Sequence, residues 1–222
     1  MSSAPLDSDV EPVVGWRGWF LRLTSSGPEL APAGWWRVGW PSLEPMTARC
    51  SAGRGHRSPD PGCDCGLYAF RSGTALRSFK AWFPVIGTVS MWGRIVEHEH
   101  GWRAEHAYPD RLRLVCETCL RTRRTRVTGI PVVAGTSSRG AASQVSLSAW
   151  CATHVPAGLD QTWPAPEVSG ALLARYAVDV LPVERIESVI APRQKRRSRW
   201  SLDHVDTTNK HFDPPGIVRR LR

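Results

Sequence analysis

Cys116-Glu-Thr-Cys119 and Cys151-Ala-Thr-His154 place four soft donors in two short pairs, each with two residues between its ligating side chains. Three thiolates and one imidazole in that pattern suit a tetrahedral zinc ion: each pair forms a knuckle, and the chain between them folds back. Cys50, His56, Cys63 and Cys65 can be read as a second such set, and the two sets together use all six cysteines. Cys63-Asp-Cys65 has a single residue between its thiols. On a regular strand those side chains share a face but stand too far apart to grip one ion, so the chain must turn there. Pro61-Gly62 before the pair and Gly66 after it favour such a turn. A competing arrangement draws Cys63, Cys65, Cys116 and Cys119 into one all-cysteine site and leaves Cys50 over. In either case four protein ligands leave no open position for water or substrate, so one or two structural zinc ions are expected.

Ions of this kind matter energetically. Structural zinc contributes about 10–16 kcal/mol in small modules, which matches the net stability of a whole domain, about 5–15 kcal/mol. The segment 50–65 is rich in Gly, Pro, Ser and Asp, and it has little apolar surface with which to order itself.

The elements that must position these donors read mainly as β. Trp16-Arg-Gly-Trp-Phe-Leu-Arg-Leu23 is aromatic and apolar, and the residues after it, 24–28, form a turn signal. Residues 35–40 and 66–70 read as short strands. Residues 85–100 are the strongest strand candidate, with Gly87 and Gly93 marking bulges or tight bends. Gly101-Trp102 would close a hairpin whose return is residues 103–108. Residues 111–116 enter the first knuckle as a strand, and residues 121–130 and 145–150 join the two knuckles as strands around a mobile tip at 134–143. Helical spacing occurs at Val168, Leu172, Leu173, Tyr176 and Val180, before Pro182, and residues 183–190 could form a second short helix. The expected fold is mainly β with a short C-terminal α element, a small curved sheet or barrel stapled by one or two zinc knuckles. The expected organisation is a disordered acidic arm at 1–15, a β domain at 16–110 and a zinc-ribbon-like module at 111–155. A helical segment at 156–191 and a basic disordered tail at 192–222 complete it.

The chain has 222 residues and a net charge of +9. Charge is unevenly placed: residues 111–126 hold six arginines and one glutamate, and residues 191–222 hold nine basic and three acidic residues. Clusters of this kind suggest an anionic partner, nucleic acid first. Only three of the 29 basic residues are lysines, as GC-rich coding would produce, so placement is more informative than abundance. If residues 121–126 are a strand, Arg124 and Arg126 share one face while Arg121 and Arg123 share the other. Arg196, Arg197 and Arg199 would contact phosphates in the tail, and Trp200 could stack on a base. The tail could instead fold onto a protein partner. No apolar run approaches the roughly 20 residues that span a bilayer, and the acidic start is unlike a signal peptide. A cytoplasmic protein without a membrane partner is expected.

Glu97-His98-Glu99-His100, with His106, is the strongest catalytic candidate, as a hydrolase or transferase centre. A strand would send the carboxylates to one side and the imidazoles to the other. Neither a nucleophile elbow nor a phosphate-binding glycine loop is present, so an enzyme is not the leading expectation. Arg103, between Trp102 and Tyr108, is expected to stack and bridge core carboxylates, with a phosphate grip as the alternative.

The string Cys50…His56-Arg-Ser-Pro59…Cys63-Asp-Cys65-Gly-Leu-Tyr68-Ala, with Val89-Ser-Met-Trp92-Gly93-Arg and Gly101-Trp-Arg103-Ala…Ala107-Tyr108-Pro109, covers roughly residues 45–120. It resembles a pattern shared by a group of bacterial and phage-associated zinc-binding proteins to which no activity is attached. The resemblance implies a metal for the first set of donors and no reaction.

Overall fold

The computed structural model describes residues 11–32, 38–53, 55–77, 83–122, 130, 132–137, 145–159 and 161–181. Ten strands carry most of the described regular structure: β1 (Val13–Thr24), β2 (Gly27–Pro32), β3 (Met46–Thr47), β4 (Leu67–Phe70), β5 (Val85–His98), β6 (Gly101–Leu114), β7 (Val132–Ser137), β8 (Val145–Trp150), β9 (Thr162–Pro164) and β10 (Asp179–Val180). Two α-helices, α1 (Glu117–Thr122) and α2 (Ala165–Tyr176), and one 3-10 turn at Gly73–Arg77 complete the described elements. The fold is mainly β with a short helix toward the C-terminus.

All ten strands belong to one curved sheet. Its central circuit runs β1–β5–β6–β4 and returns to β1 through the single pair Trp16↔Phe70. That narrow junction is reinforced by the Arg17 guanidinium, which donates to the Tyr68 carbonyl and lies over the Trp40 ring, 5.2 Å from its centroid. The β5–β6 hairpin curves at two register shifts, Thr88/Val89 and Trp92/Ile95. Gly93 sits in the second with φ +76°, a conformation that side chains with a Cβ resist. At Gly87 a Cβ would overlap the Arg111 carbonyl oxygen, so only glycine lets the strands close there.

The inward face packs Trp19, Leu21, Val85, Val89, Met91, Ala107 and Leu112 against Leu30, Trp40 and one face of α2. Helix α2 starts with Pro at its first turn and ends on Ala177 in the left-handed region. Val168, Leu172 and Tyr176 recur every four residues and are buried, while Leu173 is 47% exposed. The Tyr176 hydroxyl accepts from the Leu30 amide at 3.0 Å and donates to the Trp40 carbonyl at 3.3 Å. A second apolar cluster, on the opposite face of the sheet, joins Leu76, Phe83, Ile86, Val115 and Leu120 to Cys116, Cys119 and Cys151.

Several expectations need correction. Strand β1 begins at Val13, inside the expected arm, because Val13–Gly15 pair with Val89–Met91. Gly27 and Pro28 open β2 rather than closing a turn, and residues 38–40 are not strand. Gly101 and Trp102 are already in β6, with the turn at Glu99-His100. Residues 134–137, at the start of the expected mobile tip, belong to β7, which pairs with β8. Arg121 lies in α1 rather than on a strand, because the Leu120 amide closes a helical turn onto the Cys116 carbonyl at 3.0 Å. Helix α2 stops at Tyr176, and Val180 pairs with β6. Strand β6 runs through the expected boundary at 110/111. Among the described residues no helix is long and apolar enough to cross a membrane.

Candidate metal centres

Cys116 and Cys119 bracket the start of α1, directly after β6, and Cys151 and His154 follow β8. Antiparallel β8 and β1 carry the second pair back to the first, so sheet registry determines where the donors meet. The four side chains converge, with all ligand atoms within 4.8 Å of one another, and could hold a metal ion. His154 Nδ1 lies 3.2 Å from the sulfurs of Cys119 and Cys151 and 3.6 Å from that of Cys116. The Cys119 and Cys151 sulfurs are 3.6 Å apart. A tetrahedral ion with bonds of about 2.3 Å to sulfur and about 2.1 Å to nitrogen has edges of about 3.8 Å and about 3.6 Å. The observed edges lie at or slightly inside those values. A disulfide would bring sulfurs to about 2.05 Å, and none of the six cysteines is in a disulfide.

The thiols crowd one another in a desolvated place. Burial pushes Cys119 up to about 12, helped by the neighbouring Cys151 and Cys116 sulfurs. Burial also opposes the Cys151 thiolate, but hydrogen bonds from Cys119 and from the Thr153 and His154 amides outweigh it and leave its pKa lowered. A divalent cation would relieve this crowding by neutralising the thiolates at once. The three sulfurs are buried, and only His154 reaches the surface.

Cys50, His56, Cys63 and Cys65 converge in the same way, within 4.8 Å, and could hold a second ion. His56 Nε2 is 3.2 Å from the Cys65 sulfur, and the sulfurs of Cys50 and Cys63 are 3.8 Å apart. The all-cysteine arrangement across both sets is therefore overturned: each set closes on its own donors. The chain turns at Cys63–Cys65 as the close spacing demands. The Cys63 amide bonds the Asp60 carbonyl at 3.1 Å, and Gly66 takes φ +132°. Here three of the four donors are half-buried. A backbone bond from Cys65 favours the Cys63 thiolate, yet desolvation and the adjacent Cys50 and Cys65 sulfurs prevail and raise its pKa.

Two arginines hold this loop, and sequence reasoning found only one of them. Arg103 is buried on β6, donates to the Cys65 carbonyl at 3.1 Å and to the Cys63 carbonyl, and packs against the Tyr68 ring. Its role is structural, as expected, but its partners are loop carbonyls rather than carboxylates. Arg57 forms a two-pronged pair with Glu105, at 2.6 and 2.8 Å, and Glu105 also accepts from the Arg94 amide at 3.2 Å. The bond from Arg57 holds the Glu105 carboxyl below its ordinary pKa. The missed signal was Glu105 itself, an acid at an inward position of a strand.

The histidine–glutamate run does not assemble a centre. Glu97 pairs with Arg71, and His98 meets the Tyr68 ring at a tilt, 5.8 Å between centroids, with its pKa lowered by desolvation and by Arg103. His100 is exposed in the turn, 3.9 Å from Glu99. His106 pairs across the hairpin with Trp92 and His98 with Gly101. His106 is thus five residues from Gly101 along β6, about 17 Å at strand rise. Among the expected nucleic-acid contacts, only the Arg121 backbone is described. Arg123, Arg124, Arg126, Arg196, Arg197, Arg199 and Trp200 lie outside the described residues. No protein-family profile, curated protein or solved structure matches the chain.

Proposed function

We propose that the chain is a zinc-stabilised, non-enzymatic nucleic-acid-binding protein. The three-thiolate, one-imidazole donor sets and their tetrahedral edge lengths favour zinc over the oxygen-seeking cations. With four protein donors each, both ions would be structural and would leave no coordination position for a substrate.

The observation that carries the binding reading is where the arginine run begins. Helix α1 starts on the Cys116–Cys119 knuckle, and Arg121 falls in its last turn. The run containing Arg123, Arg124 and Arg126 therefore leaves directly from a metal-tied anchor. A cationic segment fixed at one end loses less freedom on meeting phosphates than a free tail does. The tail residues Arg196, Arg197, Arg199 and Trp200 would add charge and one stacking ring. The test is a salt series with mixed-sequence DNA and RNA: affinity should fall steeply as salt rises. Undetectable binding at low salt would remove the reading and favour a protein-interaction module. That alternative, an adaptor in a phage or mobile-element system working through residues 192–222, suits the resemblance noted above. It predicts a stoichiometric protein partner that is lost when the tail is deleted.

A further inference from the structure

The outward face of the β1–β5–β6 sheet carries a second pattern. Opposite residues on paired strands share a face. The register therefore places Trp16, Thr88 and Arg111 in one row, Val14 and Ser90 in the next, and Trp92 opposite His106 beyond them, whereas Tyr108, opposite Ser90, packs on the main core and donates to the Tyr176 carbonyl at 2.6 Å. Their sequence neighbours Val85, Val89 and Met91 point into the core, so these rows face outward. Trp92 and His106 stack at 5.9 Å with 30° between planes, and Thr47 of the adjoining β3 holds His106 Nδ1 at 3.2 Å. At the other end Arg113 lies over the Trp16 ring at 6.0 Å. Thr88 to Trp92 is four residues, about 13 Å along the strand.

Charge on this face is mostly positive. Arg111 and Arg94 are exposed and Arg113 is half-buried. Asp110, squeezed out at the register shift, accepts from the Thr88 hydroxyl at 2.7 Å beside Arg111. The face ends at the second apolar cluster, where β6 passes into α1 and the arginine run begins.

We infer that this sheet face is a stacking platform for single-stranded nucleic acid, with a base on the Trp92–His106 pair and phosphates on Arg111 and Arg94. The inference rests on the nucleic-acid reading above and assigns to this face the part that reads bases. Flat rings spaced among guanidiniums suit unpaired bases, whose π-faces are open, whereas a duplex hides them. An acidic protein could use the arginines, but it would gain nothing from the stacked ring pair.

The test uses the full-length, metal-loaded protein and an end-labelled, mixed-sequence single strand, with its duplex as competitor. Stacking is lost in Trp92→Ala, and single-strand affinity should fall about 5- to 100-fold. Trp92→Phe should restore most of it. Arg111→Glu, at an exposed position that does not threaten folding, should weaken binding and lower its salt dependence. Wild-type preference for the single strand over the duplex completes the expected result. Binding that is unchanged in Trp92→Ala and Arg111→Glu but lost on deleting residues 192–222 would overturn the platform and leave the nucleic-acid reading standing. Equal affinity for duplex and single strand would also overturn it. Wild-type protein that binds neither would overturn both.

Discussion

The two Cys/His clusters have the same donor chemistry but are positioned by different means. Cys116, Cys119, Cys151 and His154 hang from the ends of β6 and β8, and the three sulfurs sit in an apolar cluster with Ile86, Phe83 and Val115. Cys50, His56, Cys63 and Cys65 lie between β3 and β4 on a loop with no regular structure, held by Arg103 and by the Arg57–Glu105 pair. In the first case the sheet brings the donors together and an ion would consolidate them. In the second, polar ties and the ion itself must do the ordering. The contrast teaches that identical ligand sets can differ in how far their loss spreads: through the fold in one case, within a loop in the other.

Removing both ions should have the largest effect. Structural zinc at about 10–16 kcal/mol equals or exceeds a domain's net stability. A strong chelator under mild denaturant should therefore abolish the cooperative thermal transition seen by circular dichroism. An unchanged transition would remove the structural role of the metal. Cys119→Ala comes next. It empties a buried position in the second apolar cluster and breaks the sheet-anchored site, for a loss of about 4 kcal/mol or more. Cys63→Ser should cost less, because the loop can open locally while the sheet stays closed. Hydrogen exchange separates the two: Cys63→Ser should deprotect residues 50–66 alone, whereas Cys119→Ala should also deprotect β8 and β6. Deprotection of the same residues in both variants would erase the contrast.

Arg103→Met should act on the loop site alone. It keeps the apolar stem on β6 and removes the donors to the Cys63 and Cys65 carbonyls. Metal affinity at the loop site should fall by about 10- to 100-fold, as loss of an outer-shell partner does. The sheet-anchored site should keep its affinity in a competitive chelator titration. The smallest effect is expected of Glu105→Gln. Arg57 is largely exposed, so solvent screens that pair and its loss should shift chemical denaturation only slightly. A larger loss would show that the Arg94 amide bond and the close fit around Gly93 matter more than the pair itself.

Donor spacing was legible because a metal site needs a few residue types at short intervals, and both sets assemble as read. The strand at 145–150 and the apolar face of α2 were legible from periodicity. What was not legible depends on distant pairing. Val13–Gly15 follow an acidic stretch with two prolines, yet they are strand because β5 offers partners more than 70 residues away. The alternating Arg and Thr near 121 look like a strand, but the Cys116–Cys119 knuckle imposes a helical turn at their start. Nothing local in the sequence marks Glu105 as inward-facing or Arg57 as its partner. The Trp92–His106 pair was invisible for the same reason: only the hairpin register brings those rings together.

Native mass spectrometry combined with elemental analysis of the purified chain counts the ions at both sites. Two zinc ions per chain are expected, one in Cys119→Ala, one in Cys63→Ser and none in the double variant. A folded chain that carries no zinc, or one that keeps its full metal content in either variant, would contradict that count.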